Sequence, residues 1–174
     1  MDRFPLPADA SYSYEDGFTG AHRGVDIMAA EGTPVVAVEA GQAWSNIEPK
    51  GGKVAYLQSA SGTRYFFGHL SSWVLPLISA TTARPMVVKA GDEIGKVGTT
   101  GNAAGRPPHL HFQIRRAVFR GDPPSNESEP VDPFPELMAA DPKRAGIARR
   151  KGTTPQDAVS LLLILFAVWV LRKR

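Results

Sequence analysis

Four histidines and one aspartate carry the spacing that chemistry could use. His22-Arg-Gly-Val-Asp26 is an H-x-x-x-D pair, and His109-Leu-His111 is an H-x-H pair. Side chains of an extended segment alternate between two faces, so residues two or four apart point to one side. Each pair can therefore aim its polar groups at a common point. Imidazole nitrogens and a carboxylate oxygen, at about 2.0–2.2 Å, are what zinc takes where no thiolate is at hand. The chain has no cysteine, which excludes a disulfide framework and leaves any metal to His and carboxylate. Gly24, between His22 and Asp26, removes bulk where an ion would approach. In the H-x-H pair one imidazole can ligate while the other serves as acid, base or oxyanion donor. Leu110 faces the other way, into the core, with Phe112 at core spacing. His69 closes the run Tyr65-Phe66-Phe67-Gly68 and is expected to project into the same cleft. The aromatic residues before it read as core.

Those residues need strands to position them. Short β-rich runs punctuated by Gly and turn residues dominate up to residue 136. Strands are expected near Gly24–Met28, Pro34–Val38, Gln42–Ser45, Lys53–Gln58, Arg64–His69, Glu93–Val97 and Leu110–Arg115. Pro107-Pro108 fixes the entry to the last. Val74–Met86 reads as irregular and Gly121–Val131 as a surface loop. Residues 32–41 and 85–95 echo each other, each placing β-branched pairs ahead of Ala and Gly. Such a strand-turn unit used twice suits a compact all-β sandwich or barrel-like body.

Charge divides the chain. Its 174 residues suit one domain with a short appendage. Residues 1–142 carry 12 Lys and Arg against 16 Asp and Glu, a net −4; residues 143–174 carry eight against one, a net +7. The overall +3 is thus an average of an acidic body and a basic tail, and the acidic body argues against nucleic-acid binding. The expected domains are 1–137, a basic linker over 138–153, and a hydrophobic helix over 154–174. Thr154 can cap that helix, with Pro155 in its first turn and Asp157 where a capping box places an acid. The 14-residue stretch AVSLLLILFAVWVL is apolar on every face, which suits a membrane better than a water-facing helix. Twenty residues of helix would span about 30 Å, with Trp169 and the terminal Arg and Lys at an interface. A membrane anchor is the expectation. The first ten residues contain no apolar core of a signal peptide, so delivery to the cell envelope by another route, as in a phage virion, is expected.

The ordered set of motifs resembles a known family. H-x-G-x-D-I at His22–Ile27 is followed by E-G-T-P-V-V-A at Glu31–Ala37 and F-G-H-L at Phe67–Leu70. Then come G-x-x-G-T-T-G-N-A at Gly95–Ala103, P-H-L-H-F at Pro108–Phe112 and V-D-P-F-P at Val131–Pro135. The chain resembles the lysostaphin/LytM-type zinc endopeptidases, peptidase family M twenty-three, over roughly residues 5–137. The resemblance implies a small antiparallel β-sandwich with a site in an open groove. It implies His22, Asp26 and His111 as Zn2+ ligands, His69 and His109 as catalytic histidines, and a peptide of bacterial peptidoglycan, in a cross-bridge or stem, as substrate. Gln113 stands where many members have Glu, and Phe67 where many have Tyr; neither is expected to touch a ligand. Tyr12 and Tyr14 are expected to serve loop packing rather than catalysis. Segments 45–52, 71–85 and 101–107 are the expected groove walls.

Three rival readings are weaker. A non-catalytic wall-binding or hydrolase-activating protein on this fold should lack zinc. A two-histidine phosphocarrier has no use for Asp26 at chelating spacing. A nucleic-acid binder would need its basic residues on the body.

Overall fold

The structure is a computed structural model and describes residues 1–15, 17–19, 21–77, 84–117 and 128–144. Among the described residues of the first compact unit, Met1–Ala140, are eleven strands, a 3-10 turn at Gly101–Ala103 and one short α-helix. In chain order the strands are β1 (Tyr12–Glu15), β2 (Val25–Ala29), β3 (Pro34–Val36), β4 (Gly41–Glu48), β5 (Gly52–Ser59) and β6 (Arg64–Leu70). They continue as β7 (Ser72–Trp73), β8 (Met86–Val88), β9 (Glu93–Lys96), β10 (His109–Ala117) and β11 (Ser128–Val131), followed by α1 (Phe134–Ala140). All seven expected strands are present within a few residues. Four more were not expected. β1, β7 and β8 are short, and β11 occupies the end of the segment read as a surface loop. Pro130 lies opposite Arg115 in β11, and proline is tolerated there because an edge strand need not donate on its free side.

One sheet has eight strands in the order β1-β2-β10-β6-β5-β4-β8, with β11 also against β10; the other is β3-β9-β7. Among the described residues every pairing of these strands runs antiparallel. The echo between residues 32–41 and 85–95 is spread over both sheets: β3 pairs with β9, and β4 with β8. The two turns meet where the Gly91 N–H donates to the Ala37 carbonyl (2.8 Å) and the Ala37 N–H to Asp92 (2.9 Å).

The alternation along β10 divides core from site. Leu110, Phe112 and Ile114 are fully buried and point inward; His111, Gln113 and Arg115 take the opposite face. From β2, Val25 and Ile27 join the same core, with Leu57, Tyr65, Phe67, Ile94 and Leu137. Burying each such aliphatic or aromatic side chain stabilises the fold by about 1.5–3 kcal/mol. A one-residue slip of β10 would put its histidines into this core, so the packing also fixes their direction.

Among the described residues no helix is long and apolar enough to cross a membrane. The expected helix over 154–174 and most of the linker before it lie outside the described residues. The second unit, Asp141–Arg174, is described over residues 141–144, where the Lys143 N–H donates to Asp141 Oδ1 (2.9 Å).

Candidate metal centre and groove

Topology gathers the site. β10 inserts between β2 and β6, and the register sets His111 opposite Asp26 on one side and Gly68 on the other. Residues 85 positions apart in sequence thereby become cross-strand neighbours. His22 precedes β2 and reaches the same point: its Nε2 lies 3.2 Å from Asp26 Oδ1 and 3.1 Å from His111 Nδ1. His111 Nδ1 lies 2.7 Å from Asp26 Oδ1. His22, Asp26 and His111 are the one His/Asp/Glu group among the described residues placed to share an ion. Ligands at zinc bond lengths sit about 3.3 Å from one another at the corners of a tetrahedron, close to the separations found here.

Gly24 serves a different purpose from the one its position suggested. A Cβ there would lie 2.8 Å from the His111 ring and 2.7 Å from the Phe112 carbonyl oxygen. The missing side chain makes room for His111 itself, rather than for an ion.

Backbone carbonyls orient three of the four imidazoles. His22 Nδ1 lies 3.1 Å from the Gly17 carbonyl, His69 Nδ1 2.9 Å from Thr100, and His109 Nδ1 2.8 Å from Pro107. A carbonyl can only accept, so each Nδ1 carries its hydrogen and each neutral ring keeps its Nε2 lone pair. His111 is turned the other way. Its Nδ1 faces Asp26, while its Nε2 lies 2.8 Å from the Gln113 amide nitrogen, Nε2. Gln113 therefore does touch a member of the cluster, contrary to expectation. An amide can present oxygen or nitrogen by a half-turn. With oxygen inward it accepts the Nε2 hydrogen and leaves the Nδ1 lone pair for an ion. Lone pairs of His22, Asp26 and His111 then converge, an arrangement relieved by a proton or cation between them. The donor set thus fits zinc.

Burial works against the Asp26 carboxylate. The hydrogen bond with His111 and the charges of His111, His22 and His109 outweigh it and hold the carboxyl below its ordinary range. His69 is shifted down too, first by burial and then by His109 and His111, against the pull of the Thr100 carbonyl. It stays neutral and able to accept a proton. His69 and His109 lie side by side with ring centroids 4.9 Å apart, and His109 Nε2 is 3.9 Å from Asp26 Oδ2.

His69 reaches this place through backbone distortion. It is the one non-glycine described residue with positive φ, at 63°. The β5–β6 register shifts between Lys53–Leu70 and Ala55–Phe67, so β6 carries an extra residue there. Such a bulge breaks the two-residue alternation and re-aims a side chain. Thr100 braces it: its hydroxyl donates to the Leu70 carbonyl (2.9 Å) and accepts from the Lys53 N–H (2.8 Å).

These groups line an open groove with Glu48, Lys50, Gly51, Tyr56, Arg64, Phe66, Asn102, Arg106, Gln113 and Arg115 among its other residues. The expected walls are met in part. Segments 45–52 and 101–107 contribute, but no described residue of 71–85 does. Phe66, read as core, faces the groove against His111 at 6.0 Å between centroids. Tyr12 and Tyr14 lie on β1 rather than on a loop. They contact Phe4 and Phe134 and are not among the groove's lining residues. The carbonyls of Gly17, Thr100 and Pro107 had no sequence signal of their own, although Thr100 falls within the G-T-T-G-N-A motif.

Residues 20–133 match the profile of Peptidase family M23. The chain belongs to this family. An L-Ala–D-Glu endopeptidase of Bacillus subtilis is 30% identical over 153 residues, 78% of this chain and 43% of that protein. The DD-carboxypeptidase/endopeptidase Mpg of Neisseria meningitidis is 34% identical over 135 residues, 75% of this chain and 27% of that protein. The chain thus spans less than half the length of these M23 relatives. Among solved structures, the catalytic domain of lysostaphin from Staphylococcus simulans superposes with a TM-score of 0.59 at 31% identity. It covers 73% of this chain and 92% of that domain. The lysostaphin-like antiparallel fold expected from the M23 motifs is therefore present.

Proposed function

We propose that the protein is a zinc-dependent endopeptidase that hydrolyses a peptide bond in bacterial peptidoglycan. The observation that carries this reading is the convergence of His22 Nε2, Asp26 Oδ1 and His111 Nδ1 on one point of an open groove, with His69 and His109 beside it. Membership of family M23 and the peptidase names of its relatives support it.

In this reading His22, Asp26 and His111 hold the ion. Zinc, when bound, supplies a Lewis acid for the scissile carbonyl and a water acidic enough to attack near neutral pH. The protein's own residues supply the proton handling. His109 Nε2 accepts the water's proton, and the Asp26 carboxylate nearby steadies the imidazolium that results. Pro107 holds the ring so that only Nε2 is available. His69 is held by Thr100 in the same sense. The proton that His109 has taken then passes to the leaving amine, directly or through His69 Nε2 beside it. The antiparallel sheet forms the groove floor, and Phe66 shields one side of His111 from water.

We extend the proposal to membrane anchoring by residues 154–174, which rests on the basic-flanked apolar run in the sequence. Deletion of 154–174 is expected to release the protein from membrane fractions; unchanged association would contradict the anchor. The enzymatic reading is tested by metal analysis of wild type and His111→Ala, with release of peptide from purified peptidoglycan as the readout. Zinc-dependent release by wild type alone is expected, and a metal-free wild type with full lytic activity would contradict it.

A further inference from the structure

The groove differs in charge from the body that contains it. Residues 1–142 carry more acids than bases, yet the groove is lined by Arg23, Lys50, Arg64, Arg106 and Arg115 against Asp26 and Glu48. Both acids are engaged: Asp26 lies among the histidines, and Glu48 accepts the Tyr56 hydroxyl. What remains is a cationic channel, which raises the local concentration of anionic ligands.

Arg64 is the part of this channel that is built rather than merely present. Its Nη2 donates to Gln58 Oε1 (3.1 Å), and its guanidinium lies over the Trp44 ring at 5.9 Å. Its Nε is buried and has no hydrogen-bond partner. It makes no ion pair among the described residues. The register places it opposite Arg115 on β10. Two guanidinium groups facing each other on adjacent strands can take one anion from both sides. Arginine's planar fork suits a carboxylate.

Position sets which carboxylate. His111, Gln113 and Arg115 lie on one face of β10, and four residues of strand span about 13 Å. An extended peptide along this floor advances by a similar rise per residue. With the reach of an arginine side chain taken off, the anion sits two to four residues from the bond being cut.

We propose that Arg64, with Arg115 opposite, is a specificity site for a substrate carboxylate two to four residues from the scissile bond. The preferred substrate is then a peptidoglycan stem peptide with free acids, and not an uncharged glycine bridge. This rests on the endopeptidase reading for its scissile bond, but binding can be measured without turnover. Three probes serve: a synthetic stem peptide with free carboxylates, the same peptide with those carboxylates amidated, and pentaglycine.

Wild-type full-length protein with zinc is expected to favour the free acid over the amide by about 10- to 100-fold in kcat/KM. Arg64→Gln should bring that ratio to within about twofold of unity, and Arg64→Lys should keep part of it. Equal use of acid and amide by wild type, or a ratio unchanged in Arg64→Gln, would overturn the proposal while leaving the endopeptidase reading intact. Anisotropy of labelled peptides on the zinc-loaded His109→Ala protein gives the complementary result. Selective binding of the acid that Arg64→Gln abolishes would uphold the site even if no peptide were cut, in which case the endopeptidase reading alone would fall. Equal binding of acid and amide would count against the site in either case.

Discussion

The Gln113 amide lies 2.8 Å from His111 Nε2, on the far side of the ring from Asp26. The contact fixes which nitrogen of His111 faces the cluster. A second partner of this kind orients a metal-binding imidazole and tunes its basicity, commonly by 10- to 100-fold in affinity. With its amide oxygen turned inward, Gln113 accepts the Nε2 hydrogen through a neutral oxygen, a weaker partner than a carboxylate. Gln113→Ala should lower zinc affinity by about tenfold or more, and Gln113→Glu should raise it. Competition with a chromogenic chelator measures both; equal affinity in all three proteins would remove Gln113 from the metal centre.

Gly24 gives a steric counterpart. Its absent Cβ leaves space that the His111 ring and the Phe112 carbonyl fill. Neither can retreat easily, since Phe112 is fully buried and His111 is tied to Asp26 and Gln113. Gly24→Ala is expected to cost about 1–3 kcal/mol of stability by overpacking and to weaken zinc binding. Thermal unfolding with and without zinc reads both effects. A variant with unchanged melting and zinc affinity would show that the close approach is not required.

Thr100 joins the bulge at His69 to the start of β5. Thr100→Val keeps the shape but leaves the Lys53 N–H and the Leu70 carbonyl without their side-chain partner. Each buried group left unsatisfied costs about 1–3 kcal/mol. A lower midpoint in urea with an unchanged slope is expected. Full stability would mean that water replaces the hydroxyl without loss.

Glu39 provides a pH test away from the groove. Burial acts to raise its carboxyl, but the Tyr65 hydroxyl at 2.6 Å and the N-terminal ammonium at 2.9 Å prevail and hold it low. A lowered folded-state value means the unfolded chain binds its proton first as pH falls. The stabilisation is therefore complete above the unfolded value of about 4.3 and is lost as pH drops through the lower folded value. Tyr65→Phe removes the first partner, so it should reduce stability at neutral pH by about 1 kcal/mol and flatten the fall in acid. Urea denaturation across the acid range checks this; parallel curves for the two proteins would exclude the Glu39 contribution.

Much of the site was legible because its residues advertise themselves in pairs. Two-residue alternation around Leu110 and Phe112 set His111 on the face away from the core, and the H-x-x-x-D spacing brought His22 near Asp26. What spacing could not convey was order in the sheet: the insertion of β10 between β2 and β6 depends on long-range pairing. The bulge that turns His69 escapes a strict alternation, whereas Phe66 obeys it, sharing the groove face with Arg64 and Gly68 opposite Gln113. Gln113 was visible as a departure from the family pattern, but its contact follows from sharing a β10 face with His111. The strands β7 and β8 are too short to show a period, and β1 alternates over only the four residues Tyr12–Glu15.

The most direct test titrates zinc into metal-stripped protein while new amino termini released from purified peptidoglycan are counted. Release should rise with zinc and saturate near one ion per chain. Asp26→Asn and His111→Ala should fail to bind the ion, whereas His109→Ala should bind it and release about 100-fold less peptide or lower. Full release without zinc, or undiminished release by His111→Ala, would contradict the account.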